Sequence, residues 1–157
     1  MFTIVAGTGY TGVRALERLP ADDAVGLSRS PAETSRICHL VDFDTLETLP
    51  LQLPDRYRVL YTCPPRGESD ERLCRFLALL RPAPARFVYI STTGVYGDCK
   101  GAVATEESPV NPGSPMSKPR VVAERLLEQW AGANGCQLVV LRSPGIYGPG
   151  RLGVERL

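Results

Sequence analysis

Apolar residues in this chain come in short runs, separated by polar, glycine-rich and proline-rich stretches, and the spacing inside each run separates strand from helix. The first run, Phe2-Thr3-Ile4-Val5-Ala6, predicts a strand; a glycine-rich turn through Gly12 follows, and then a helix over residues 13–19. A second strand over residues 24–27 ends in Ser28-Arg29-Ser30-Pro31, and a third over 37–41 is followed by Asp42 and Asp44. The strand predicted at 57–62 runs into Cys63-Pro64-Pro65, where two prolines stop it. Ser69 reads as a helix N-cap with Asp70 and Glu71 in the first turn, and Leu73, Phe76, Leu77 and Leu80 fall on one face. Pro82 and Pro84 end that helix, a fifth strand is predicted at 86–91, and a turn-rich stretch fills 94–115. A last helix over 117–130 carries Val122, Leu126 and Trp130 as its apolar stripe, with Gly132 or Gly135 to close it; a sixth strand is predicted at 137–141. Strands alternating with helices imply an α/β fold: one domain with a doubly wound, mostly parallel, Rossmann-type sheet.

The first turn has the order strand, Gly7-x-Gly9-x-x-Gly12, helix that a dinucleotide-binding fingerprint requires. Gly7 allows the tight turn, Gly9 lets backbone N–H groups approach a pyrophosphate, and Gly12 allows close packing, with Thr8, Tyr10 and Thr11 completing the loop. The helix start adds unpaired N–H donors and the positive end of its dipole. A turn without a ligand is the plainer alternative. In an NAD-selective site a carboxylate at the end of the second strand binds the ribose 2′-OH. Here Ser28 holds that place and Arg29 follows, a pair suited to a 2′-phosphate, so NADP(H) is favoured over NAD(H). The alternative for Arg29 is a solvated loop residue. Asp42 is placed to reach an adenine amino group, or is a turn former. Thr62, Cys63 and Pro64 lie at the sheet edge where open α/β sheets bind ligands.

Composition narrows the field. At 157 residues there is room for one substantial core. A net charge of +1 makes no electrostatic case for nucleic acid or an anionic membrane. No apolar run has the length of a membrane span, and Met1 leads into a strand rather than a signal peptide. The five cysteines are scattered and lack CxxC spacing, which reads as reduced thiols in a cytoplasmic protein with no metal site. His39, in an apolar stretch, reads as structural.

The chain resembles the extended short-chain dehydrogenase/reductase superfamily, in its NAD(P)-dependent epimerase/dehydratase group. The resemblance rests on the glycine fingerprint, on Tyr89-Ile90-Ser91-Thr92-Thr93-Gly94-Val95-Tyr96-Gly97, on Glu106-Glu107-Ser108-Pro109, and on Leu141-Arg142-x-Pro144-Gly145-Ile146-Tyr147-Gly148-Pro149-Gly150. It implies a Ser or Thr hydroxyl, a tyrosine acid/base and a lysine beside a nicotinamide, the lysine being needed because an unassisted phenol has a pKa of about 10. Thr92 takes the hydroxyl place, and Ser91, Tyr96 and Pro144 are carried over as cofactor contacts. Alignment on Ala123-Glu124 puts Met116 at the tyrosine place and Arg120 at the lysine place. Methionine cannot transfer a proton, and arginine keeps its charge without deprotonating. Lys118 is a nearby cation, and Tyr96 or Tyr147 a displaced phenol. This broken triad is similar to the superfamily's atypical members, with Ser117-x-x-Arg120-x-x-x-Glu124 as its replacement.

Relatives continue past the last motif into a small substrate-binding region, which is expected to be absent from this chain; nothing in Arg151 to Leu157 has the look of a designed terminus. Two functions stay open: an oxidoreductase exchanging hydride with a carbonyl or alcohol carbon, on a substrate such as a nucleotide sugar, and a non-catalytic NADP-binding module or truncated remnant. The resemblance also implies a homodimer through helices near 69–80 and 117–130, with Trp130 and Phe76 as anchors or, equally, as core.

Overall fold

A computed structural model describes residues 1–67 and 69–151. The elements are β1 (Phe2–Ala6), α1 (Tyr10–Arg18), β2 (Ala24–Ser28), β3 (Cys38–Leu40), β4 (Tyr57–Tyr61), α2 (Glu71–Leu79), β5 (Arg86–Thr92), α3 (Lys118–Asn134) and β6 (Gln137–Ser143). The strands form one sheet in the order β3-β2-β1-β4-β5-β6, and every neighbouring pair is parallel. Strand order reverses between β1 and β4, the switch point at whose carboxyl edge such sheets bind ligands.

The pleat sorts side chains to two faces. On one, Val5 and Ala24 meet Leu16 of α1. On the other, α2 and α3 cover Ile4, Val59, Phe87 and their neighbours in the larger core. Tyr61 is the hub of that layer, with Phe43, Phe76, Phe87 and Tyr89 at centroid separations of 5.6–6.4 Å. Arg36 closes the far end of α1 by donating to the carbonyls of Glu17 (2.8 Å) and Leu19 (2.9 Å), oxygens that have no partner within the helix. No helix among the described residues is long and apolar enough to cross a membrane.

Several boundaries differ from expectation for identifiable reasons. α1 starts at Tyr10, three residues early, because Val13 N already bonds Gly9 O at 3.0 Å. The N-cap of α2 is Asp70 rather than Ser69: Asp70 adopts φ 43° and its carbonyl accepts from Cys74 N. α3 starts one residue late, at Lys118, with Pro119 in its first turn, and runs to Asn134 until Gly135 (φ 64°) stops it. β3 is shorter than expected, and β5 and β6 are longer. Residues 152–157, on which the reading of the chain's end falls, lie outside the described residues.

The stripe of α3 is rotated from the one expected. Val121, Ala123, Glu124, Leu127 and Ala131 are buried, whereas Val122 is 38% exposed and Leu126 and Trp130 are half-buried at the edge of the core. A buried glutamate disguises the true face. Phe76 is wholly buried in the core against Phe43 and Tyr61, and Trp130 packs edge-on against Phe87. Truncating Phe76 removes a ring from the centre of the aromatic layer. Phe76→Ala is expected to cost about 3–5 kcal/mol, read as a fall in the urea midpoint with little change in slope.

Candidate functional site

The glycine turn is built by exclusion. Gly7 has φ +92°, a conformation that side chains resist, and a Cβ there would press on Thr62 Oγ1 and Cys63 Sγ. A Cβ on Gly12 would overlap the Gly7 carbonyl oxygen. Thr62 fixes that carbonyl by donating to it at 2.6 Å. Gly9 is the opposite case, with no atom within 4 Å of where its Cβ would lie. Gly9 caps α1 without a side-chain acceptor, and the first turn contains no acidic residue. The leading N–H groups of α1 are therefore open to an anion.

Around this turn lies a cavity of about 420 Å³ at the β1/β4 switch point. It gathers Gly7, Thr8, Gly9, Tyr10, Thr11, Ser28, Arg29, Asp42, Thr62, Cys63 and Pro64 from loops far apart in the chain. Gly12 is buried just behind it. Ser28 closes β2 and is buried, and Arg29 beyond it is exposed. Asp42 is also exposed, and its Oδ1 accepts from Asp44 N at 3.0 Å. Burial pushes the Cys63 thiol up to about 11, against the pull of Arg72, so it stays protonated and neutral.

Arg72, which the sequence pattern did not single out, also lines this cavity. It is the second residue of α2, donates to Pro64 O at 2.9 Å, and holds its Nε 3.3 Å from Asp44 Oδ1, an ion pair off the hydrogen-bond axis. Asp44 also pairs with Arg66 at 2.8 Å. One carboxylate thus ties both ends of the 66–72 segment to the loop after β3.

A second cavity, of about 560 Å³, adjoins the first and shares Pro64 and Arg120 with it. Thr92, Met116 and Arg120 all line it, so the fold brings together the three places the superfamily resemblance assigned to a triad. Thr92 Oγ1 accepts from Gly94 N at 3.2 Å, which leaves its proton to donate elsewhere. Met116 is 85% exposed. Arg120 donates to Ile90 O at 2.6 Å and lies 3.4 Å from Tyr89 Oη. That phenol is buried and pushed up to about 12 by burial despite the guanidinium, so the pair supplies no base at neutral pH.

Other candidates fall elsewhere. Lys118 is exposed and lines neither cavity. Ser91 is buried and donates its hydroxyl to Glu124 Oε1, so it does not face the dinucleotide cavity. Glu124, 3% exposed, also receives Arg142, whose Nη2 lies 2.8 Å from Oε2; Arg142 Nη1 donates to Tyr96 Oη at 3.0 Å. The bond to Glu124, outweighing burial, holds the Arg142 guanidinium firmly protonated. Tyr96 and Pro144 line a separate cavity beside β6, and Tyr147 is 80% exposed. The serine and tyrosine of the second motif therefore anchor β5, α3 and β6 to one another.

The model of the NAD dependent epimerase/dehydratase family matches residues 70–156, more than half of the chain. The chain belongs to that family. It is 39% identical over 64 residues to a dTDP-glucose 4,6-dehydratase of Streptomyces niveus, covering 41% of this chain and 19% of that one. A dTDP-glucose 4,6-dehydratase of Mycobacterium tuberculosis is 34% identical over 76 residues, covering 46% and 23%. In fold, the chain matches a UDP-glucuronic acid 4-epimerase of Bacillus cereus in complex with NAD, with TM-score 0.76 and 21% identity, over 98% of this chain and 58% of that one. A functionally unknown conserved protein of Silicibacter pomeroyi is 29% identical with TM-score 0.72, over 100% and 57%. The chain thus spans little more than half the length of these structures, and the matched stretch about a fifth of the curated relatives. The fold likeness extends over nearly all of this chain.

At the start of α2, the carboxyl of Asp70 is buried (1% exposed) and neither oxygen has a well-formed hydrogen bond among the described residues. Burial raises its pKa, against the amides of Arg66 and Leu73 and the charges of Arg72 and Arg120. A raised carboxyl pKa favours the folded state while the group is protonated. That advantage is lost as pH rises from the unfolded to the folded value. Asp70→Asn keeps a residue tolerant of the left-handed conformation and removes the charge. It is expected to raise the melting temperature by a few degrees at neutral pH, an advantage that vanishes below the unfolded carboxylate range at about pH 4. Thermal melts of both proteins across that range check it.

Proposed function

We propose that this chain is the dinucleotide-binding part of an epimerase/dehydratase-type oxidoreductase, and that it takes NADP(H) in preference to NAD(H). The observation that carries the preference is the end of β2, where buried Ser28 and exposed Arg29 border the cavity of the glycine turn. A hydroxyl and a guanidinium can both donate to a 2′-phosphate, and no carboxylate stands at that strand end to repel it. The open space over Gly9 and the uncapped start of α1 suit a pyrophosphate.

The nicotinamide, when bound, supplies hydride exchange at its C4 with a carbonyl or alcohol carbon. Thr92 is proposed to hold the oxygen on that carbon, because among the described residues its hydroxyl accepts from Gly94 N and its proton has no acceptor. Arg120 borders both cavities and contributes fixed positive charge where cofactor and substrate meet. A nucleotide sugar is the proposed substrate class, supported by the named activities of the dehydratase and epimerase relatives. Met116 favours a second reading, a binding module without chemistry, because the place of the proton-transferring tyrosine holds a thioether. Incubation with dTDP- and UDP-sugars at saturating cofactor separates the two: unchanged sugars alongside tight cofactor binding mark the module.

Fluorescence titration with NADPH and NADH tests the cofactor assignment. Arg29→Ala is expected to weaken NADPH by about 10–100-fold, the worth of a charge-assisted hydrogen bond, and to leave NADH nearly unchanged. Equal losses for both nucleotides would remove the 2′-phosphate role. A folded chain that binds neither would overturn the whole reading.

A further inference from the structure

We infer that Arg151 is a ligand of the dinucleotide's pyrophosphate, brought to the glycine turn by a post-β6 loop that is seated on Tyr10. This rests on the dinucleotide reading above and extends it to a residue that lies outside the fingerprint and outside the quoted family motifs.

Arg151 lines the same cavity as Gly7, Gly9 and Thr11, although it is more than a hundred residues away in sequence. A closed turn carries it there: Gly148 N donates to Arg151 O (3.1 Å) and Arg151 N to Gly148 O (2.9 Å). The turn is pressed onto the start of α1. A Cβ on Gly148 would overlap Tyr10 Oη, so any other residue there would have to push the phenol aside. Arg14 completes the clamp from α1, donating to Tyr10 O at 3.0 Å and to Pro149 O at 3.1 Å. Its guanidinium lies 3.6 Å from the Tyr10 ring centroid, and that of Arg151 lies 5.3 Å from it.

Two guanidinium groups against one phenol ring concentrate positive charge at the positive end of a helix, whose first turn has no acidic residue. An anion that joins it is attracted by both groups. A pyrophosphate crossing Gly9 brings the missing negative charge, and a guanidinium matches two phosphate oxygens better than a point charge would. Arg14 is held in place by its two carbonyl acceptors, so of these two it is Arg151 that lines the cavity, which Arg29, Arg72 and Arg120 also line.

The test compares wild type, Arg151→Ala and Arg151→Lys for NADPH by fluorescence and for adenosine 2′-monophosphate by displacement of NADPH. The 2′-monophosphate keeps the adenosine end and lacks the pyrophosphate. The expected result is an NADPH affinity about tenfold weaker in Arg151→Ala, partly restored in Arg151→Lys, with the monophosphate affinity unchanged in both. An NADPH affinity equal to wild type in Arg151→Ala overturns the inference and leaves the cofactor reading standing. Parallel losses for both nucleotides also overturn it, since they report a disturbed fold. A wild-type chain that binds neither NADPH nor NADH removes the cofactor reading, and the inference with it.

Discussion

The structure turns on the contact between Gly12 and the carbonyl of Gly7. No side chain fits between them, and Thr62 at the end of β4 donates to the same oxygen. One peptide group thus joins β1, α1 and β4 at the point where strand order reverses. Because the carbonyl is held from one side and covered from another, the turn cannot relax into a looser loop. The N–H groups that follow it are fixed in direction before any ligand arrives. This preorganisation is the condition under which a helix start can bind an anion with little ordering cost.

A second constraint organises the other half of the sheet. Glu124 carries its carboxylate into the core face of α3, where burial without partners would be prohibitive. Ser91 and Arg142 supply those partners from β5 and β6, and Arg142 passes the connection on to Tyr96. Truncating any one member strands the others, so a buried pair of this kind fixes register more than it adds net stability. Its consequence for the site is positional. Thr92 is the residue after Ser91, and Arg120 lies one turn before Glu124, so the network sets where β5 ends and which way α3 points its first turn.

The same network marks the limit of what the sequence discloses. Alternation and glycine placement read the sheet and the cradle well, since a parallel sheet writes its buried strands as apolar runs and its turn as a fixed spacing of glycines. Ser28, Arg29 and Thr62 were legible because a strand end has a defined direction in this fold. Ser91 and Tyr96 were not, because a motif gives residue types without saying which face each one takes; both spend their polar atoms inside the protein. The α3 stripe was misread for a related reason: Glu124 looks like a surface residue until Arg142 is seen beside it, so periodicity settled on Val122, Leu126 and Trp130. Asp70 displaced Ser69 as the cap because the helix start here is fixed by a left-handed backbone step, not by a side-chain acceptor. Arg72 and Arg151 went unseen because only tertiary structure brings α2 and the post-β6 turn to the glycine loop.

The two cavities bear unequally on function. The cavity of the glycine turn offers an anion backbone N–H groups and guanidinium groups, which need only be in position. Proton transfer has no such latitude: it needs a group that can take either state near neutral pH, at hydrogen-bond distance from the reacting oxygen. The Thr92 hydroxyl and the Arg120 guanidinium can orient and polarise an oxygen. Tyr89, the phenol nearest Arg120, is held protonated by burial. Met116, at the place that the resemblance gives to a tyrosine, carries no proton to transfer. Hydride chemistry at this site then requires the proton to come from the substrate, from water, or from a group outside the described lining of the second cavity.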